Sequence, residues 1–214
     1  MPISQLTINK FIAGGARTLS NVLHPFLMPT YGALLVLWTS VLCLLPPGTR
    51  VAVLVVCMGI TCMLPIIFVS VLRHYELFDF GNFSSRRKRA FCYLFCAACN
   101  AAAGAYLLHS HAPMWFVSFM LGAAAAALVT AIVSWMWKIS PHMAGIGTVI
   151  ALICQLQSMG LGAIGLFWLL CFAIMVAGLL GTALMALRRQ TLWQLVAGVL
   201  VGYACVTITM KLLG

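Results

Sequence analysis

The sequence predicts an all-α integral membrane protein: a bundle of about six to seven transmembrane helices behind an N-terminal interfacial helix. Three observations carry that reading. The 214-residue chain is 64% hydrophobic and 7% charged, whereas a soluble domain carries about 25% charged residues and could not cover its surface with so few. Its apolar residues fall into runs of bilayer length separated by short polar turns. Its twelve Lys and Arg residues face only two acids, Glu76 and Asp79, and gather at one set of run ends.

Residues 1–25 read as an amphipathic interfacial segment, with Leu6, Phe11, Ile12 and Leu19 apolar and Lys10 and Arg17 interrupting any signal-peptide core. Residues 26–214 read as a single transmembrane helical domain. The first run covers 26–45 and stops at the turn signal Pro46-Pro47-Gly48. The second covers 51–72 and contains Pro65, tolerable in a membrane helix when the freed carbonyl finds another donor. Residues 75–89 form the most polar connection and hold both acids. The third run, 90–108, is rich in Ala and suits close helix packing. The turn His109-Ser110-His111-Ala112-Pro113 leads to the fourth, 114–137, whose Trp135 and Trp137 fit an interfacial aromatic belt. The fifth, 143–156, is short and reads as partly broken; the sixth and seventh cover 161–187 and 192–213. Strand alternation of the barrel kind is absent.

Alternation of these runs places the N-terminal segment and the 73–89, 138–142 and 188–191 connections on one side. That side holds ten of the twelve basic residues and leaves Arg50 and Lys211 opposite. The positive-inside rule makes it the cytoplasmic side of the cell (inner) membrane. A net charge of +10 split into short clusters does not form the continuous basic face that nucleic acid needs. Phosphorylated or anionic phospholipids are the better partners, besides the membrane itself.

The nine cysteines imply neither a disulfide framework nor a metal centre. Most lie inside apolar runs, where Cys packs as a small hydrophobe. Cys92, Cys96 and Cys99 share a helical face, but no His or acid lies on the same turns to complete a ligand set. No cofactor is expected.

Three constellations bear on chemistry. Ser140-Pro141-His142 combines a good N-cap with Pro at the first helical position, so a helix starts here with its positive dipole end toward the basic side. Such a start suits an anion, and His142 in its first turn can donate to or attack a phosphate. The plain alternative is a capped helix with His142 at headgroup level. Arg86-Arg87-Lys88-Arg89 precedes the third run, either as a topology determinant or as a planar-fork grip on phosphate oxygens. Finally, Gln190-Thr191-Leu192-Trp193-Gln194 opens the seventh run, and Gly198 and Gly202 form a small-xxx-small face for tight helix contact. Lys138, Arg188 and Arg189 add cations beside these turns.

In this order the motifs resemble the type 2 phosphatidic acid phosphatase family of membrane lipid phosphatases, over residues of about 20–205. The resemblance implies that fold, with His142 as general acid and Arg89 at the first motif's Arg; Arg86, Lys138, Ser140, Arg188 and Arg189 are further phosphate-binding candidates beside them. Thr191, Gln194, Gly198 and Gly202 match the family's tail His-Thr-x-x-Gln-x-x-x-Gly-x-x-x-Gly. The head departs. Gln190 stands at the nucleophilic His, Leu184 at the phosphate-binding Arg and Ala183 at the Ser. Ala90 replaces the first motif's Pro, and Asn82 its Lys. Gln cannot form the phospho-enzyme. Loss of the Arg clamp removes on the order of 3 kcal/mol of transition-state stabilisation, by analogy with one oxyanion donor.

Three readings follow: a catalytically impaired relative that binds or handles a phosphorylated lipid, an active lipid phosphatase using His142, and a membrane scaffold with no phosphate site. The Gly-spaced face also suits a helix-packed homo-oligomer.

Overall fold

The computed structural model describes residues 14–15, 18–74, 85–162, 165–187 and 190–214. Eight α-helices follow residues 18–22, which are themselves helical. They are α1 (Met28–Thr39), α2 (Pro47–Met58), α3 (Leu64–His74), α4 (Ser85–His109), α5 (Met114–Met136), α6 (Pro141–Ser158), α7 (Leu166–Ala186) and α8 (Leu192–Leu213). A π turn, Gly59–Met63, joins α2 to α3 without a break. No strand occurs among the described residues; an isolated bridge, Ser40 to Gly162, is the nearest thing to one. Most of the interfacial segment expected over 1–25, with Lys10 and Arg17, lies outside the described residues.

Among the described residues, five stretches are long and apolar enough to cross a membrane: Pro47–Val71, Arg89–His109, Met114–Met136, Leu166–Ala186 and Leu192–Leu213. Their outward faces carry large apolar side chains, such as Trp168 at 77% and Leu200 at 61% exposure. Only a bilayer can solvate such faces. This is a multi-pass helical membrane protein.

The other two runs differ from expectation. The first does not continue to residue 45. Thr39 Oγ1 donates to Leu35 O (2.7 Å) and Ser40 Oγ to Val36 O (2.5 Å), and the chain then tightens into a 3₁₀ turn, Val41–Leu44. At 1.5 Å per residue the 12-residue α1 rises only about 18 Å. The fifth run, expected to be partly broken, is one unbroken helix of 18 residues, and it lies at the centre of the bundle. Gly145 and Gly147 do not interrupt it: a Cβ on Gly145 would lie 2.6 Å from Met28 Cγ, and one on Gly147 3.0 Å from Val199 Cα. Neighbouring elements fill the space those side chains would need.

One apolar core runs through these helices, with Phe116, Phe119, Met120, Leu152, Ile153, Leu180 and Val206 essentially sealed. Gly32 of α1 admits the Phe119 ring, which a Cβ there would overlap. Two helix ends close by the same device. Ala112 N–H reaches Leu107 O and His111 N–H reaches Leu108 O, with His111 left-handed at φ 55°. Leu161 N–H and Gly160 N–H likewise reach Leu156 O and Gln157 O, with Gly160 at φ 66°. Both are Schellman turns, which satisfy carbonyls that a helix end would otherwise leave without donors.

Candidate functional site

The site grows from the start of α6. Ser140 is extended and fully buried, and its Oγ accepts from the Met143 N–H at 3.3 Å, as an N-cap should. Pro141 has no N–H, and Ala144 N–H bonds Ser140 O at 3.0 Å. The first turn therefore offers an anion few amides, since Pro141 brings none and those of Met143 and Ala144 are engaged. The sequence implied a richer set of amides; the cap itself consumes part of it.

The start of α6 is tied to the start of α8. Ser140 N–H donates to Gln194 O at 3.3 Å, while Gln194 Oε1 accepts from the Thr191 N–H at 3.1 Å within a capping box. A Cβ on Gly198 would fall 2.6 Å from Ser140 O, and one on Gly202 would run into Ala144 O. Glycine is what lets the two backbones touch. Two motifs separated in sequence thus meet as one unit in which Ser140, Gln194, Gly198 and Gly202 are structural.

His142 is half-buried, and its Nε2 lies 3.2 Å from Ser20 Oγ and 3.3 Å from Ser20 O. A protonated Nε2 donates to the carbonyl; an unprotonated one accepts from the hydroxyl. His24 stands beside it, ring centroids 5.8 Å apart and the rings nearly perpendicular. His24 Nδ1 accepts from the Phe26 N–H at 3.4 Å, and burial pushes the His24 imidazole below its ordinary value of 6.5. His24 is therefore the neutral Nε2–H tautomer at neutral pH. The sequence reading missed Ser20 and His24. Ser20 lies 122 residues before His142, and a lone His-Pro step reads as a helix boundary.

Other expected members are placed less centrally. Arg89 is half-buried in the second turn of α4, one turn before Tyr93 and close enough to act on it electrostatically. Tyr93 shares a cavity wall with Pro141, so this face of α4 turns toward the start of α6. Arg86 lies on α4, but its side chain is outside the described residues, as are Arg188 and Arg189 altogether. Lys138 is exposed on the turn before α6. Gln190 is half-buried just ahead of the α8 cap, and its Oε1 has no hydrogen-bond partner among the described residues.

The clearest departure from a phosphate clamp is at α7. Leu184 is 1% exposed and belongs to the apolar core, and Ala183 is buried beside it. A guanidinium would be required where this chain has built packing. The cluster that remains, His142 with Ser20 and His24, can donate to and accept from a polar headgroup. It holds two imidazoles, and the Ser20 hydroxyl lies within hydrogen-bond reach of His142 Nε2; what it lacks is a histidine at the place of Gln190. No family model matches the chain, and neither a curated protein nor a solved structure matches it.

Proposed function

We propose that this chain is a membrane-embedded binder of a phosphorylated lipid, built on a frame like that of the type 2 phosphatidic acid phosphatases and impaired in hydrolysis. The observation that carries the reading is the union of the Ser140–His142 turn with the Thr191–Gly202 tail while the core fills the place of the missing Arg. His142 and Arg89 supply donors on the basic end of the bundle, and the positive-inside bias puts that end in the cytoplasm. The headgroup sits at helix-start level, where anion and dipole are complementary.

The test is phosphate release by purified protein from phosphatidic acid, phosphatidylglycerol phosphate and undecaprenyl diphosphate. The expected result is no turnover, together with thermal stabilisation by a phosphorylated lipid that is lost in Arg89→Ala. Turnover abolished by His142→Ala would overturn the reading in favour of an active phosphatase, which the capped His142 supports as the second candidate. Absence of both turnover and lipid stabilisation points to a scaffold without a phosphate site.

A further inference from the structure

A second polar feature lies inside the bundle. A cavity of about 60 Å³ opens between the π turn, α4, α5 and α6, and its wall includes Thr61, Tyr93, Asn100, Thr130 and Thr148. Asn100 is 5% exposed; its Nδ2 donates to Cys96 O at 2.8 Å, and its Oδ1 has no partner among the described residues. An amide oxygen left bare in a bilayer-embedded core is costly, so it calls for a donor.

The other polar wall groups share the same polarity. Thr61 Oγ1 donates to Cys57 O (2.8 Å), Thr130 Oγ1 to Ala126 O (2.7 Å) and Thr148 Oγ1 to Gly145 O (2.6 Å). With their hydrogens turned back on their own helices, these hydroxyls offer the cavity only lone pairs; Tyr93 adds a hydroxyl able to do either. Among the described residues the lining contains no acid and no Lys, Arg or His. A cation is disfavoured by the positive start of α6, whose Pro141, Ala144 and Gly145 also line the space. An anion is disfavoured by the acceptor walls. A small neutral donor fits, and the volume suits about two to four waters.

We propose that this cavity is a hydration site in which ordered water donates to Asn100 Oδ1 and to the threonine hydroxyl oxygens, bridging α4 to α6 and to the π turn within the membrane. Oxidative footprinting by X-ray radiolysis of the full chain in lipid nanodiscs tests it, because hydroxyl radicals formed from bound water mark the side chains beside it. Cys96 and Met28 line the cavity, whereas Met120 and Met210 are sealed elsewhere in the bundle. The expected result is oxidation of Cys96 and Met28 several-fold faster than Met120 and Met210, falling to their level in Asn100→Leu. Equal rates in the native chain would mean a dry cavity and overturn the proposal without any variant. Fast oxidation that persists in a folded Asn100→Leu protein would overturn the assignment to Asn100.

Discussion

The stretch from Ala183 to Gly202 contains two regions built on opposite principles. Its later part, from Thr191 on, meets α6 backbone to backbone, with Gly198 and Gly202 against Ser140 and Ala144 and the Gln194 side chain closing the cap. Its earlier part, on α7, is a plug of side chains in which Leu184 fills core space while Met185 faces outward. In the family this stretch resembles, both parts belong to one motif. Here they are separable. The backbone contact that aligns two helix starts needs no charged residue, so it stands here beside the apolar Ala183 and Leu184.

The sharpest way to break the contrast is Gly202→Val. The Cβ would be forced into the Ala144 carbonyl, a clash of a backbone-fixed atom with backbone that no rotamer relieves. The expected outcome is loss of the monodisperse folded species in size-exclusion chromatography, whereas Gly178→Ala, with nothing within 4 Å of its Cβ, leaves folding intact or gains up to about 1 kcal/mol from helix propensity. Smaller is the effect of Leu184→Ala, which opens a cavity in the plug and costs about 2–3 kcal/mol, read as a lower melting temperature in detergent. If Leu184→Ala were neutral, the earlier part would be open site and not packing, and the separation of the two regions would fail.

The smallest expected effect belongs to His24. Its folded-state pKa lies below the unfolded 6.5, so the unfolded chain binds more protons as pH falls. Its contribution is complete above 6.5 and is lost as pH falls from there through the lower folded value. A plot of melting temperature against pH is expected to slope downward below 6.5 and to flatten in His24→Gln. An unchanged slope would show that His24 is not the buried titrating group beside His142.

Much of this was legible beforehand where a local rule acts alone. Ser140-Pro141 announced a capped helix because a cap and its first turn lie within four residues, and α8 occupies 192–213 as expected because its Thr191 cap and Gly-spaced face are local too. Reading the short fifth run as partly broken missed that Gly145 and Gly147 are contact surface within an unbroken helix. Glycine lowers helix propensity in isolation, yet a bundle centre rewards it with close approach. The stop at Thr39 was hidden because hydropathy continues past it; the chain leaves the helix at Ser40, which is extended, accepts from the Leu42 N–H through its Oγ and bridges to Gly162. The Ser20–His24–His142 cluster depends on tertiary packing across most of the chain, which no local pattern encodes.

The π turn at Gly59–Met63 has a consequence of a different kind. Leu64 N–H bonds Gly59 O, so the segment carries one residue more than an α-helix of the same rise. That surplus rotates everything after it by roughly 100° relative to what precedes. Thr61 can thereby meet Thr30 at 3.0 Å while Phe68, further along, stacks on Phe95 with centroids 3.8 Å apart. The segment from Pro47 to His74 is thus more sensitive to its length than to its composition. Removing a single residue from the turn would leave a helix just as apolar and able to cross the bilayer, but with its lower half facing the wrong neighbours.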